Sequence, residues 1–249
     1  MPERAPETLL EVASYNVHRC VGLDLVENEP RVAAVIREMR ADVVALQEVE
    51  SDPRAEQPEY LSCATGYQVV LGKTFLRGDG EYGNAILCRP PILETRLLDL
   101  SIAGREPRGA IDVDLNVAGR RVRVINTHLG LAPSERAHQA ERLLEALAAR
   151  EDPLVVLLGD FNDWFPWGPA LRRIRASFPA CSTARTFPAP CGVAALDRVL
   201  VRPGAALRRV WVHRSRRAWI ASDHLPLRAS IDLGANGRTG PDPHPPVAE

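Results

Sequence analysis

Short apolar runs that end on a polar residue recur along this chain. Leu9 to Val17 alternates as a strand does and stops at Tyr15-Asn16-Val17-His18. Val43-Val44-Ala45-Leu46 runs into Gln47-Glu48, and Leu154 to Leu158 runs into Gly159-Asp160-Phe161-Asn162. Unbroken Val and Leu suit strands covered on both faces. Between the first two runs the pattern changes period. Asn28 or Glu29 can cap a helix, Pro30 fits its first turn, and Val32, Val35, Ile36 and Met39 share one face. A second helix is predicted from about Ser134 to Arg150, with Ala140, Leu143, Leu144, Leu147 and Ala148 as its buried stripe.

The middle of the chain reads as antiparallel sheet. Ile111, Val113, Leu115 and Val117 alternate with Asp112, Asp114 and Asn116; Ala118-Gly119-Arg120 then turns into Val122 and Val124, which alternate with arginines. Strand-helix-strand units beside a hairpin predict an α/β fold: a four-layer sandwich of two mixed sheets packed face to face, with helices on both outer faces. No linker or repeat divides residues 8–233, which reads as one domain. From Gly234 to Glu249 the Gly- and Pro-rich sequence predicts a disordered tail.

Composition narrows the classes. The 249 residues are 45% hydrophobic and 25% charged, which excludes disordered, collagenous and disulfide-stapled proteins. No apolar run reaches the ~18 residues of a membrane-spanning helix, and Met1-Pro2-Glu3-Arg4-Ala5 lacks a signal-peptide pattern. A cytoplasmic, monomeric protein is expected. Its five cysteines would stay reduced there, and none shows the C-x-x-C spacing of a zinc site. The formal net charge is −1, so there is no global attraction to nucleic acid or anionic membranes. Lys73 is the only lysine, so arginine is the default surface cation and a lone arginine says little about phosphate. Arg202, Arg208, Arg209, Arg214, Arg216 and Arg217 accordingly read as a solvated face rather than a nucleic-acid patch.

The polar residues at the ends of apolar runs carry the chemistry: Asn16, Glu48, His128, Asp160 with Asn162, Asp197, and Asp223 with His224. One Asn or Asp at a strand end is an ordinary turn residue. A set of acids, amides and imidazoles at every strand end points to a ligand crevice. Carboxylates and amide oxygens are hard donors suited to Mg²⁺ or Mn²⁺. With no prominent Ser or Cys nucleophile, such a set fits direct attack of water on a phosphoester.

Seven motifs then occur in an order that resembles one family. They are Tyr15-Asn16-Val17-His18, Gln47-Glu48-Val49, Tyr82-Gly83-Asn84-Ala85-Ile86-Leu87, Asn126-Thr127-His128-Leu129, Gly159-Asp160-Phe161-Asn162, Leu196-Asp197-Arg198-Val199 and Ser222-Asp223-His224-Leu225-Pro226. The resemblance is to the endonuclease/exonuclease/phosphatase superfamily, the DNase I-like group, over roughly residues 8 to 233. It implies a metal-dependent phosphoric ester hydrolase with Glu48 as the principal metal ligand, Asn16 beside it, and Asp223 in a second sphere. Asp160 would align or deprotonate the water, and Asn162 would bind phosphate or orient that water. His224 would stabilise charge on phosphorus or move a proton, with Asp197 behind it to hold the working tautomer. His128 matches members with a second active-site histidine, which leans away from DNA repair. Tyr82, Asn84 and Thr186 are candidate substrate contacts. Arg108 is the choice over Arg105 for gripping phosphate, because it directly precedes the alternating strand. Where some members place a further acid after the first Asn, His18 and Arg19 stand here, which leaves metal stoichiometry open.

Trp164, Phe165 and Trp167 read equally as a substrate-facing rim or as loop packing. His138 is expected on the outside of the second helix. A DNA enzyme needs several cationic backbone contacts acting together, so a small or lipid-derived phosphoester is the expected substrate, with a DNA nuclease as alternative and a non-catalytic binding module disfavoured. Activity is expected to decline in acid as neutral imidazoles or carboxylates gain protons.

Overall fold

The helix announced by Asn28 and Pro30 forms where the pattern places it. In the computed structural model, which describes residues 9–52, 55–165 and 167–235, the Asn28 side chain accepts the Arg31 N–H and α1 runs Glu29–Met39. It connects β1 (Leu9–Asn16) to β2 (Val43–Asp52), and these two strands pair in parallel. A second unit repeats the plan: β8 (Arg120–His128), α3 (Pro133–Ala148) and β9 (Val155–Asp160), with β8 and β9 parallel. Every other pairing is antiparallel. Around these units lie β3 (Ala55–Glu56), α2 (Gln57–Thr65), β4 (Gln68–Arg77), β5 (Gly80–Cys88), β6 (Ile92–Asp99) and β7 (Gly109–Val117). The chain ends with α4 (Pro169–Ser177), β10 (Ala180–Cys181), β11 (Asp197–Arg202), β12 (Leu207–Val212), α5 (Ala218–Ala221) and β13 (Leu227–Asp232).

One sheet has the order β12-β13-β1-β2-β5-β4, with short β3 on the end of β2; the other has the order β10-β11-β9-β8-β7-β6. Leu10, Val12, Val43 and Ile86 of the first face Val113, Val124, Val156 and Val199 of the second in a shared core. On the first sheet's outer face, Tyr15, Val44 and Leu46 pack under Val32, Ile36 and Met39 of α1. On the second's, Ile125, Val155 and Leu157 pack under Leu143, Leu147 and Ile174 of α3 and α4. The result is the four-layer DNase I-like α/β sandwich expected from the pattern.

The hairpin's outward positions are a finding in their own right. Asp112 and Asp114, alternating with apolar residues, are fully buried rather than solvated. Arg123 beside them is also buried; it binds Asp112 through Nε and Nη2, Asp152 at 3.0 Å and the Ala146 carbonyl at 3.0 Å. Arg96 and Arg150 complete the cluster. The arginines and acids neutralise each other where the end of α3 covers the sheet. His138 is exposed on α3, as expected. Gly234 and Ala235 are described, and Ala235 is buried against the inter-sheet core; the remainder of the tail assignment, 236–249, lies outside the described residues.

Strand polarity gathers the chemistry at one edge. The parallel strands β1, β2, β8 and β9 all deliver their carboxyl ends there, carrying Asn16, Glu48, His128 and Asp160. Antiparallel β7, β11 and β13 begin at the same edge, so Arg108, Asp197 and His224 arrive from the other direction. Asp197 stands in register with Asp160, and so does His128.

Candidate active site

Glu48 reaches the edge through a distortion of its strand. Leu46 pairs with Ala85 and Val49 with Gly83, so Gln47 and Glu48 together oppose the single residue Asn84. This bulge holds Glu48 at φ 56°, a left-handed conformation that re-aims its side chain. A buried polar network braces it from below. Asn126 Nδ2 donates to the Leu46 carbonyl at 2.8 Å and the Ala85 carbonyl at 2.9 Å, while its Oδ1 accepts from Gln47 Nε2 at 2.8 Å. Gln47 and Asn126 belong to recognised motifs, yet bracing across the sheets is visible only once both are in place.

Asn16, buried at the end of β1, joins the two key carboxylates. Its Nδ2 donates to Glu48 Oε1 at 2.8 Å and to Asp160 Oδ2 at 3.1 Å, and its Oδ1 accepts the His18 N–H. The chain then makes a left-handed turn, His18, Arg19 and Cys20 all having φ between 47° and 57°. Buried Gln57 holds that turn by donating to the Arg19 carbonyl and to Glu27. Asp160 accepts the Asn162 N–H at 2.9 Å. Before it, Gly159 sits at φ 145°, and a Cβ there would lie 1.9 Å from the Thr127 carbonyl oxygen, so the motif's glycine is what lets β9 lie against β8.

The two histidines flank Asp160 Oδ2, His224 Nε2 at 3.6 Å and His128 Nε2 at 3.7 Å, but their charges differ. His224 Nδ1 bonds Asp197 Oδ2 at 2.9 Å. Burial alone would lower the His224 pKa; the charges of Asp197 and Asp160 outweigh it and raise it to about 10. His128 is pushed down to about 3, first by burial and then by Arg108, whose Nη1 lies 3.2 Å from Nδ1. The two imidazoles therefore differ, because only His224 is backed by a carboxylate at bonding distance. Arg108 Nη1 at Nδ1 and Asn162 Nδ2, 3.0 Å from Nε2, are both donors, and a neutral His128 can accept from only one of them. Asn162 Nδ2 also donates to the Leu129 carbonyl, and buried Arg108 Nε has no hydrogen-bond partner among the described residues. Donors thus crowd this corner, a setting suited to an oxyanion.

These groups open into a cleft of about 510 Å³. Glu48, Asp160, His128, Asn162, His224, Asp223, Arg108 and Tyr82 line it; Asn16 and Asp197 stand directly behind. The Tyr82 hydroxyl is pushed well above its ordinary pKa by burial and by the charge of Glu48. Asn84 does not line the cleft: it sits opposite the bulge and donates to the Gly109 carbonyl at 3.2 Å, tying β5 to β7. Thr186 is fully buried and its hydroxyl donates to Asp197 Oδ2, so its contact is with the carboxylate behind His224 rather than the open cleft. Arg19, Phe75, Arg77, Glu106, Leu131, Phe187 and Leu196 also line the cleft without any local sequence signal. Trp164 belongs to its wall, edge-on to Phe187, whereas Phe165 and Trp167 stack on each other outside it.

Two metal-competent groupings exist. Asp160, Asp197 and His224 present ligand atoms within 4.8 Å of one another. In this trio His224 Nδ1 is already engaged with Asp197 and its Nε2 lies 3.6 Å from Asp160, so the two acids pair with the imidazole between them. Glu48 and Asp160 instead bring two carboxylates to the Asn16 Nδ2, whose Oδ1 is taken by the His18 N–H, and Asp223, about one-third exposed, adds a third carboxylate to the same cleft. That second set fits Mg²⁺ or Mn²⁺.

Two mixed sheets bringing acids, amides and imidazoles to one shared edge define a DNase I-like α/β sandwich. The chain belongs to the Endonuclease/Exonuclease/phosphatase family, whose description matches residues 13–224. Members of that family include phosphatases, phosphodiesterases and nucleases. The chain is 29% identical over 262 residues to the Escherichia coli (strain K12) protein YbhP, covering 94% of this chain and all of that one. Among solved structures it resembles an endonuclease/exonuclease/phosphatase from Beutenbergia cavernae, with a TM-score of 0.75, 24% identity, and coverage of 91% of this chain and 72% of the other. A Bacteroides thetaiotaomicron mannosyl-6-phosphatase superposes with a TM-score of 0.69 at 20% identity over 88% of this chain and 98% of its own. No described helix is long and apolar enough to cross a membrane.

Proposed function

We propose that the protein hydrolyses small or lipid-derived phosphoesters by metal-assisted, direct attack of water on phosphorus. The observation that carries this reading is the convergence on Asp160 of Asn16, His128 and His224, with Glu48 one hydrogen bond away. Glu48 and Asp160, with Asp223 in the same cleft and Asn16 bracing the two carboxylates, would hold a divalent cation, which supplies Lewis-acid polarisation of a phosphoryl oxygen when bound. Arg108, Asn162 and neutral His128 grip the phosphate oxygens as donors. Asp160 Oδ2 orients the attacking water and receives its proton. His224, held cationic by Asp197 and free at Nε2, stabilises the charge gathering on phosphorus and hands a proton to the departing oxygen.

The shape of the cleft supports a compact substrate over a polymer. Trp164, Phe187 and Leu131 wall one side, Phe75 and Tyr82 another. Three of the arginines that might have tracked a nucleic-acid backbone are engaged elsewhere: Arg208 with Asp232, Arg217 with Glu38, Arg209 over the Trp211 ring. A panel of phosphomonoesters, phosphodiesters, phospholipid headgroups and plasmid or abasic-site DNA, assayed at one salt concentration with and without Mg²⁺, tests the reading. Higher kcat/KM on the small esters is expected. Efficient DNA cleavage with a steep salt dependence would make the protein a nuclease instead.

A further inference from the structure

We propose that the cleft docks onto an anionic lipid bilayer, with two exposed apolar patches beside its mouth seated among the headgroups. This inference rests on the phosphoesterase reading and names where the substrate is presented. On one side of the mouth, Leu131 and Trp164 line the cleft yet are 72% and 56% exposed, and Trp167 nearby is 69% exposed. Trp167 stacks on Phe165, itself exposed, rather than on the core. In a second patch, Leu25 is 86% exposed, and its loop is fastened to α5 by the Leu23 N–H bond to the Ile220 carbonyl at 2.9 Å. Trp219 and Ile220 are exposed there too. The segments flanking this second patch, through Arg19 and Asp223, line the cleft.

Single exposed apolar side chains are ordinary, but large ones gathered in the lining of an opening and next to it mark an interaction surface. Their company identifies the partner. Arg216 is exposed three residues before Trp219, and Arg19 and Arg77 stand at the mouth. Tryptophan and aliphatic side chains beside arginine form the pattern of a bilayer interface, where the ring and the chains enter the acyl boundary and the guanidinium meets anionic headgroups. A protein partner or a second copy covering both patches would seal the cleft. Duplex DNA would set its backbone against Leu25 and Leu131, which offer it no donors. A bilayer carries the phosphoester itself, so covering the mouth becomes productive.

The test uses the full chain in a sedimentation assay with vesicles of phosphatidylcholine, alone or mixed with phosphatidylglycerol. Wild type should bind the mixed vesicles, with salt weakening the binding. Leu25→Ser combined with Trp167→Ser should lower the partition coefficient by about tenfold or more, and Arg216→Glu should weaken binding only to the anionic vesicles. Turnover of the water-soluble ester bis(p-nitrophenyl) phosphate should be unchanged in the double variant, which also certifies its fold. Wild type that ignores both vesicles, or a double variant that binds as well as wild type, overturns the proposal. So does a dimer in solution that the double variant dissociates, since a second copy would then be the occupant. Loss of ester turnover in wild type with vesicle binding intact would strike the phosphoesterase reading alone.

Discussion

Replacing Asp197 by Asn probes the charge that makes His224 cationic. Asp197 is fully buried, its Oδ2 accepts from His224 Nδ1 at 2.9 Å and from Thr186, and its charge is the largest influence raising the His224 pKa to about 10. Asparagine keeps the shape and removes the largest raising charge, so burial, opposed only by Asp160 and Asp223, should carry the histidine down toward its ordinary value. At about pH 7.5 a group with the ordinary pKa of ~6.5 is protonated in about one molecule in ten. If protonated His224 is the working form, kcat should fall about tenfold from its charge state alone, and further if the amide turns the ring to the wrong tautomer. The assay is kcat against pH on a soluble phosphoester, paired with an NMR titration of the histidine Cε1 protons. Wild type should hold its activity further into the alkaline range than the variant, whose decline should begin at lower pH. An Asp197→Asn enzyme with the wild-type alkaline limb would refute the assignment of a cationic His224.

Three further outcomes follow from the same contacts. In chelated protein, His224 contributes stability that is complete below its unfolded pKa of ~6.5 and is lost as pH rises toward about 10, whereas His128 contributes stability present above ~6.5 and lost as pH falls toward about 3. Thermal unfolding in EDTA should therefore lose an acid-side dependence in His128→Gln and an alkaline-side one in His224→Gln; unchanged profiles would contradict these environments. Asn126→Leu strips partners from two carbonyls and from Gln47, each worth about 1–3 kcal/mol when buried, so denaturant titration should show a loss of about 3 kcal/mol or more. Asp160→Asn should lower kcat with little change in KM, and a normal kcat with a weakened KM would make Asp160 a substrate contact instead.

The parts of the molecule legible in the sequence are those governed by local chemistry. Asn28 and Pro30 announce α1, and Ala118 and Gly119, both at positive φ, announce the β7–β8 hairpin. Strand ends carrying polar residues located most of the cleft, because β1, β2, β8 and β9 share a polarity. What escaped depends on partners distant in the chain. The bulge at Glu48 exists only in register with Asn84, so nothing in Gln47-Glu48 itself discloses it. Asn84 and Thr186 carry side chains suited to phosphate, and their neighbours turned them to a carbonyl and to Asp197. The alternating Asp112 and Asp114 resemble a solvated hairpin face until α3 closes over them and Arg123 pays the cost of burial.

The claim of metal-assisted phosphoester hydrolysis stands or falls on one titration: the initial rate of chelated protein as Mg²⁺ or Mn²⁺ is added back, wild type beside Glu48→Gln. Glu48 meets Asn16 at 2.8 Å and is aimed into the cleft by its bulge, so removing its charge should remove the cation's anchor without disturbing the fold. The account predicts no turnover in EDTA, full recovery on adding either ion to wild type, and a rate lower by about three orders of magnitude or more in the variant. Full turnover in excess EDTA, or a Glu48→Gln variant that recovers as wild type does, would contradict it.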